Sequence, residues 1–182
     1  MKKIVIETEN FLLQTLTEKD ASEKYLSWLR DREITKFLYV SDKEQNIQTI
    51  KEYISSHNNK THFLFGIFSR SEEKHIGNFS LRFHPKDKRA NLGVLIGDKK
   101  FWGKSVPLEC RAKILDWVFI NFDCKKVEGG CIANNYPAVF NYQKQNWKVE
   151  GILKSHRYID NRACDEIMFA MFREDWFEQR DS

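Results

Sequence analysis

The stretch that decides the fold is residues 92–109, which reads LGVLIGDKKFWGKSVPLE. An apolar strand ends at Gly97, a short loop carries Gly103 and Lys104, and a long helix begins near Val106. The loop therefore presents backbone N–H groups and the positive end of a helix dipole at one point, which is a general anion-binding arrangement. The spacing matches neither a phosphate loop nor a dinucleotide-binding glycine pattern. On these residues alone, an anion site and an ordinary strand-to-helix connection both remain open.

A second stretch, residues 133–147, reads ANNYPAVFNYQKQNW. It places an asparagine pair at the end of a strand, and Pro137 suits the first turn of a short helix that carries Tyr142. Taken alone, the same residues also fit a plain helix cap followed by a half-buried core tyrosine. The stretch therefore leaves a functional and a structural interpretation open.

Hydrophobic periodicity gives the order of elements along the rest of the chain. Apolar and polar residues alternate in three segments between residues 61 and 97, which is typical of an antiparallel meander. Thr17 with Asp20 predicts a helix start, and Ser41 with Glu44 predicts another. The predicted strands are residues 11–16, 61–69, 75–84, 90–97, 126–132, 148–158 and 164–172. The order predicts a single α+β domain over residues 1–182, with a mixed, mostly antiparallel sheet of about seven strands and about four helices.

Length, charge and cysteine content exclude several function classes. The chain has 182 residues and a net charge of +4, and its modest basic cluster of Lys86, Lys88 and Arg89 does not indicate nucleic acid as the main partner. No apolar run reaches the ~18 residues of a membrane span, and the apolar stretch near the N-terminus is too short for a signal peptide. No C-x-x-C pair occurs, so we expect no metal site and predict reduced thiols in a cytoplasmic protein. The cysteines are Cys110, Cys124, Cys131 and Cys164.

Together the two stretches resemble the GNAT superfamily of acetyl-CoA-dependent N-acetyltransferases, and within it the branch of the ribosomal-protein N-terminal acetyltransferases. Relatives in that branch read W-G-K-G-x-A-x-E where this chain has residues 102–109, and N-x-x-S-x-x-x-Y-E-K-x-G-F where it has residues 135–147. In the family, the first strand ends in the pattern L-x-x-L-T-x-x-D, and residues 13–20 of this chain are similar to it. Residues 25–29 and 76–78 also resemble the same branch. The resemblance covers nearly the whole chain in the right order.

The resemblance implies a binding site for acetyl-CoA as the acetyl donor. Backbone at the end of the fourth family strand, here Leu95, Ile96 and Gly97, would hold the pantetheine arm and polarise the thioester carbonyl. Asn135 would contact the cofactor arm. The loop that would take the pyrophosphate consists of Gly103, Lys104, Ser105, Val106 and Pro107.

The reaction that the resemblance implies is direct attack of a primary amine on the thioester. Tyr142 matches the family's proton donor to the departing thiolate, because a phenol is normally protonated at neutral pH. Relatives with a glutamate on the fifth strand would place that base near Gly130, which has no side chain. His84 is the candidate base, since an imidazole accepts a proton near neutral pH, although a plain surface histidine fits the same position. Further base candidates are Asp31 and Glu33, and the candidate substrate contacts are Asn78, Ser80 and Arg82.

Four positions depart from the family pattern. The chain has only 8 glycines, and the family's central loop glycine is Ser105 here, a residue type that favours the N-cap of the following helix. A nearby alanine is Pro107, which lacks an N–H donor but is tolerated in the first turn of a helix. Ala138 replaces a serine that some relatives use as the acid, and Asn146 replaces the glycine before the final aromatic residue. We predict that acetyl-CoA still binds, and both full and weakened affinity stay open on the sequence alone.

The predicted function is therefore that of an N-acetyltransferase, acting as a monomer or homodimer. Residues 25–29 and 76–78 resemble relatives that acetylate amino sugars, so the predicted partner is a small-molecule amine, namely an amino sugar or a nucleotide-linked amino sugar. The alternative acceptor is a protein N-terminus. The alternative of another class is a GNAT-fold interaction module that binds CoA poorly or not at all.

Overall fold

The meander predicted between residues 61 and 97 forms the centre of the sheet. The computed structural model describes residues 3–39 and 44–181. Its strands are β1 (Val5–Glu7), β2 (Phe11–Thr15), β3 (His62–Ser69), β4 (Lys74–His84), β5 (Arg89–Ile96), β6 (Lys126–Ile132), β7 (Lys148–Ile159) and β8 (Arg162–Phe172). They form one sheet in the order β1-β2-β3-β4-β5-β6-β8-β7. Neighbouring strands are antiparallel except for β5 and β6, which are parallel.

Helices cover both faces of this sheet. They are α1 (Glu23–Arg30), α2 (Arg32–Thr35), α3 (Ile47–Ser55), α4 (Val106–Asn121), α5 (Tyr136–Lys144) and α6 (Arg173–Asp181). The larger hydrophobic cluster packs α4 and α6 against one face, and a smaller cluster packs α1 and α3 against the other. Within the described ranges, no helix has both the length and the apolar character needed to cross a membrane.

The alternation of β4 fixes which of its residues face each layer. Phe79, Leu81 and Phe83 are buried in the cluster under α4, whereas Ser80 and Arg82 turn toward the α1–α3 layer and line a cavity there. This division follows from the two-residue period of a strand. The polar face of β4 is thereby available to a ligand on the α1–α3 side.

The α+β class is confirmed, and the element counts differ slightly from those predicted. The sheet has eight strands rather than about seven, and the described chain has six helices rather than about four. Strand β1 has three residues around the buried Ile6, which is too short for a periodic signal. Helix α6 is mostly charged or polar and buries Trp176, so its sequence carries almost no apolar stripe.

Two predicted helix starts need correction. Asp20 accepts a hydrogen bond from the Thr17 N–H at 2.7 Å as predicted, but this pair closes a 3-10 turn over residues 18–20. Helix α1 begins later, capped by Ser22. Helix α3 is capped by Asn46 with Thr49 as its reciprocal partner. The predicted capping box used Ser41, which lies outside the described residues.

Candidate active site

The parallel pair at the centre of the sheet separates after three residues. Strands β5 and β6 pair only over residues 89–91 and 126–128, although both continue toward the same edge. Beyond that point the strands splay, and a cleft of about 1120 Å³ opens between them. Because splayed strands leave backbone N–H and C=O groups unpaired, this edge offers hydrogen bonds to a ligand that lies along it.

The loop that enters α4 lies at the mouth of this cleft. Gly103 has φ +73° and Ser105 has φ +57°, so both adopt the left-handed conformation that glycine tolerates best. Glu109, in the first turn of α4, ties the loop to the β1–β2 turn, because its carboxylate accepts hydrogen bonds from Thr8 (2.5 Å) and from the Asn10 N–H (2.7 Å). The first-turn N–H groups and the helix dipole therefore face the cleft from a fixed position.

The predicted cofactor residues divide into two groups. The residues that line the cleft are Leu95, Ile96, Gly103, Ser105, Pro107 and Asn135. Gly97 instead packs against Trp28 and leaves no room for a Cβ. Val106 is buried in the core, and the Lys104 ammonium lies 5.2 Å from the Phe101 ring centroid. The role of these residues in cofactor binding stays a prediction, and for Gly97 and Val106 it would involve backbone groups alone.

Ser105 does not act as the side-chain cap that its residue type suggested. It occupies the N-cap position of α4, but its hydroxyl makes no capping hydrogen bond. A capping side chain needs extended backbone geometry at that position, and the left-handed φ of Ser105 turns its side chain elsewhere. Pro107 does lie in the first turn of α4, where a missing N–H is tolerated.

Tyr142 is held on three sides at the point where β5 and β6 separate, on the sheet face that α4 covers. Its ring stacks on Phe169 at 4.4 Å and 10°, and the Trp147 ring meets it edge-on at 5.0 Å. On the β6 side, a Cβ at residue 129 would collide with the Tyr142 hydroxyl, so Gly129 makes room for it. Burial raises the pKa of Tyr142, while the nearby Arg111 guanidinium acts in the opposite direction. The phenol therefore stays protonated at neutral pH and faces the cleft.

Arg111 is a feature that the sequence reading did not single out. Its guanidinium carbon lies 4.4 Å from the Tyr142 ring centroid and 5.4 Å from that of Trp147. The side chain is buried and lines the cleft, and Nη1 has no hydrogen-bond partner among the described residues. Burial lowers the pKa of Arg111, yet a guanidinium remains charged in proteins. Among the described residues no carboxylate pairs with this buried cation, which suits an anionic cosubstrate such as CoA.

The residues predicted for the base are placed less favourably. His84 lines neither described cavity, and its Nε2 lies 2.9 Å from Asn91 Oδ1 at the far end of β4. Asp31 and Glu33 both bind the Lys99 ammonium, at 2.7 and 2.5 Å. The hydrogen bond from Lys99 holds the pKa of Asp31 below its usual range. A base role for these three residues stays a prediction that the geometry does not favour.

Glu166 on β8 is the carboxylate that the sequence reading overlooked. Its side chain lines the cleft, and Oε2 accepts a 2.6 Å hydrogen bond from the Tyr39 hydroxyl. Its Oε1 lies 3.1 Å from the point where a Cβ at Gly130 would stand. The pairing of β6 with β8 brings it there, and a strand pairing of this kind is not visible in the sequence alone.

A second, smaller cavity of about 370 Å³ lies on the α1–α3 side of the same strands. Arg82 and His62 line it, and it shares Tyr53, Ser80, Gly93 and Gly130 with the main cleft. Of the predicted substrate contacts, Ser80 lines both cavities and Asn78 lines the main one, while Arg82 lines the smaller one. The splay is therefore open from both faces of the sheet.

Residues 25–29 and 76–78, the two motifs that resemble amino-sugar relatives, lie beside the C-terminal end of β5, where the acetyl donor is predicted to bind. Trp28 packs on Gly97, and a Cβ at Gly77 would collide with the Leu95 carbonyl oxygen. Tyr25 and Trp28 are both buried in the smaller cluster. These residues therefore shape the strand end that the cofactor would contact, and they carry less information about the acceptor.

Comparisons with known proteins agree with this architecture. The model of the acetyltransferase (GNAT) domain family matches residues 10–144, so the chain belongs to the GNAT acetyltransferase family. It is an acyltransferase that uses acetyl-CoA as its acetyl donor, and enzymes of this family transfer the acetyl group to small-molecule or protein amines.

Individual relatives are distant but span nearly the full chain. An uncharacterized N-acetyltransferase p20 of Bacillus licheniformis is 23% identical over 177 residues, which are 93% of this chain and 96% of that protein. The RimL ribosomal L7/L12 alpha-N-protein acetyltransferase in complex with CoA superposes with a TM-score of 0.83 at 14% identity, covering 94% of this chain and 99% of that one. The spermidine N-acetyltransferase of Vibrio cholerae in complex with CoA and spermine gives 0.82 at 18% identity, covering 92% and 98%.

Proposed function

We propose that this enzyme acetylates the amino group of an amino sugar, either free or linked to a nucleotide. The observation that carries the proposal is the meeting of the two cavities at the splay, where Ser80, Gly93 and Gly130 line both. An acceptor amine on the α1–α3 side can therefore approach a thioester held on the α4 side. Direct transfer requires such an opening, because the reacting atoms must come within about 3–3.5 Å.

On the donor side, the residues supply hydrogen bonds, charge and one proton. The splayed end of β5 would hold the pantetheine arm through backbone groups, and the first turn of α4 would face the pyrophosphate. Tyr142 would donate its proton to the sulfur as the C–S bond breaks. Arg111, above the Tyr142 ring, would stabilise the negative charge that develops there.

On the acceptor side, aromatic rings alternate with hydrogen-bonding groups. Phe37, Tyr39 and Tyr53 line the cleft together with Thr49 and Glu52. A sugar offers both C–H faces that pack on rings and hydroxyls that bind polar side chains, so this mixture supports a polyhydroxy amine. The proposal includes a cytoplasmic location, which is supported by the use of acetyl-CoA and by four free cysteines.

The runner-up acceptor is a protein N-terminus, which the structural likeness to the RimL enzyme supports at the level of fold. Glucosamine, a UDP-linked amino sugar, a short serine-initiated peptide and spermidine should be compared as acceptors by thiol release from acetyl-CoA. We expect kcat/KM to be at least about tenfold higher for a sugar amine, a difference of ~1.4 kcal/mol in transition-state binding. A preference for the peptide or for spermidine would overturn the sugar proposal.

Two measurements separate the enzyme from an inactive interaction module. Calorimetry with acetyl-CoA should give a binding isotherm, and its absence together with no thermal shift at millimolar cofactor would favour the module. Tyr142→Phe should lower turnover while leaving acetyl-CoA affinity nearly unchanged, since the hydroxyl acts on the leaving group. Full turnover in that variant would show that Tyr142 is not the acid.

A further inference from the structure

A pair of adjacent glycines in β6 makes room on the two faces of that strand. Successive residues of a strand point to opposite faces, so Gly129 and Gly130 leave space on different sides. The Tyr142 hydroxyl fills the space over Gly129, and the Glu166 carboxylate fills the space over Gly130. An acid and a carboxylate from other elements are thereby brought to the two sides of one splayed strand.

The register of the sheet explains this placement. Gly129 pairs with Phe169, on which Tyr142 stacks, and both lie on the α4 face. Gly130 pairs with Met168, which lines the smaller cavity on the α1–α3 face. Glu166 lies two residues from Met168 on β8 and therefore shares its face. The carboxylate consequently stands on the side from which the acceptor would approach.

The surroundings of Glu166 hold its carboxylate in place without neutralising it. Oε2 accepts the hydrogen bond from Tyr39 and lies 3.6 Å from His156 Nε2. Arg157 stacks on the Tyr39 ring at 4.0 Å and donates hydrogen bonds to the carbonyls of residues 37 and 38, which fixes Tyr39. Within the described residues, no Lys or Arg forms an ion pair with this carboxylate. The ionisable groups that face it are Tyr39, Cys131, Tyr142 and His156.

The other carboxylates of the two cavities are less suitable. Glu33 binds Lys99 at 2.5 Å, and Glu128 binds Arg89 at 2.9 Å and Lys126 at 3.0 Å. Glu52 is largely exposed to solvent and accepts a hydrogen bond from Gln48. A carboxylate already engaged by a cation is a weaker proton acceptor.

We propose that Glu166 is the general base of the acetyl transfer, an inference that rests on the proposed function. The acceptor nitrogen attacks the thioester carbonyl carbon, so a C–N bond forms and the C–S bond breaks. The proton released from the nitrogen passes to Glu166 Oε1, and the sulfur receives the Tyr142 proton. His156, which is exposed and lies 3.6 Å from Oε2 of Glu166, carries that proton to solvent, and Tyr142 regains a proton from solvent once the CoA thiol has left the cleft.

The test compares Glu166→Gln with Asp165→Asn, a matched carboxylate-to-amide change at the neighbouring residue, which faces the opposite side of β8, binds Lys154 and lines neither cavity. Wild type is first assayed with glucosamine, a UDP-linked amino sugar, a serine-initiated peptide and spermidine, and the variants are assayed with the best acceptor. Glu166→Gln should lower kcat at pH 7 by about 10²–10⁴-fold and leave acetyl-CoA affinity within about twofold by calorimetry. The kcat of Glu166→Gln should then rise about tenfold per pH unit, because without a base only an acceptor amine that is already deprotonated reacts. Asp165→Asn should keep the wild-type kcat and pH profile.

A second variant tests the geometry itself. In Glu166→Ala/Gly130→Glu, the carboxylate returns to the same space from β6, and turnover should recover at least about tenfold over Glu166→Ala. If Glu166→Gln keeps the wild-type kcat and pH profile, the inference about Glu166 is overturned and the proposed function stands. An equal loss in Asp165→Asn would also overturn it. No turnover by wild type with any of the four amines would remove both proposals.

Discussion

The close approach of Gly129 to Tyr142 gives a sharp prediction for Gly129→Ala. A Cβ at residue 129 would stand well under 3 Å from the Tyr142 hydroxyl oxygen, 3.0 Å from Cζ and 3.1 Å from Cε1. The ring has little freedom to move aside, because Phe169 stacks on it and Arg111 lies 4.4 Å from its centroid. The alanine methyl group must therefore displace the hydroxyl along the strand.

The size of the effect follows from that displacement. To reach an ordinary contact, the hydroxyl must retreat by about 1 Å, and a misplacement of that size lowers the rate of a positioned step by about 100-fold. Overpacking in a filled core lowers the free energy of unfolding by ~1–3 kcal/mol. For a chain of this length each kcal/mol corresponds to about 2–4 °C in Tm.

The assay is a double-mutant cycle with a matched control. Gly129→Ala should lower kcat strongly, with acetyl-CoA affinity changed far less. In the Tyr142→Phe background the nearest atom would be a ring carbon at 3.0 Å, so the same substitution should destabilise the protein less, by about 1 kcal/mol. Gly151→Ala, where nothing lies within 4 Å, should keep wild-type turnover and stability within ~0.5 kcal/mol. Wild-type turnover in Gly129→Ala, or equal destabilisation in both backgrounds, would refute the reasoning.

Four further predictions concern the cofactor side. Ser105→Gly should raise Tm by relieving a left-handed φ that disfavours L-residues by ~1–2 kcal/mol, and it should tighten acetyl-CoA binding in calorimetry. Asn146→Gly, at φ +58°, should raise Tm without changing cofactor affinity, and an equal affinity gain there would contradict the loop assignment. Pro107→Ala restores one N–H in the first turn of α4, so Kd for acetyl-CoA should fall by about tenfold or more, the ~1.5–3 kcal/mol of a hydrogen bond to a charged group. Arg111→Leu should lower kcat, since removing this cation further raises the pKa of Tyr142.

The left-handed positions show how the sequence and the structure complement each other. The sequence has Ser105 and Asn146 at two positions where the family pattern has glycine. Only the backbone angles explain it, because both residues adopt the conformation that a glycine would favour. The hydroxyl of Ser105 was expected to cap α4, and the same angle is the reason that it does not.

The sequence by itself determined the class of the fold, the strand–loop–helix at the mouth of the cleft, and Tyr142 as the candidate acid. These features depend on local periodicity and on contiguous motifs, which a linear chain displays directly. It could not determine β1 or α6, because three residues and a mostly polar helix carry no readable pattern.

The tertiary structure alone decided which groups meet at the splay. Arg111 lies in the cleft next to Tyr142 because α5 packs over it. Glu166 lies next to Gly130 because β8 pairs with β6. His84 had the more suggestive residue type, but the length of β4 places it outside both cavities. Residues far apart in the chain come together only through strand register and helix packing, and no local pattern encodes that meeting.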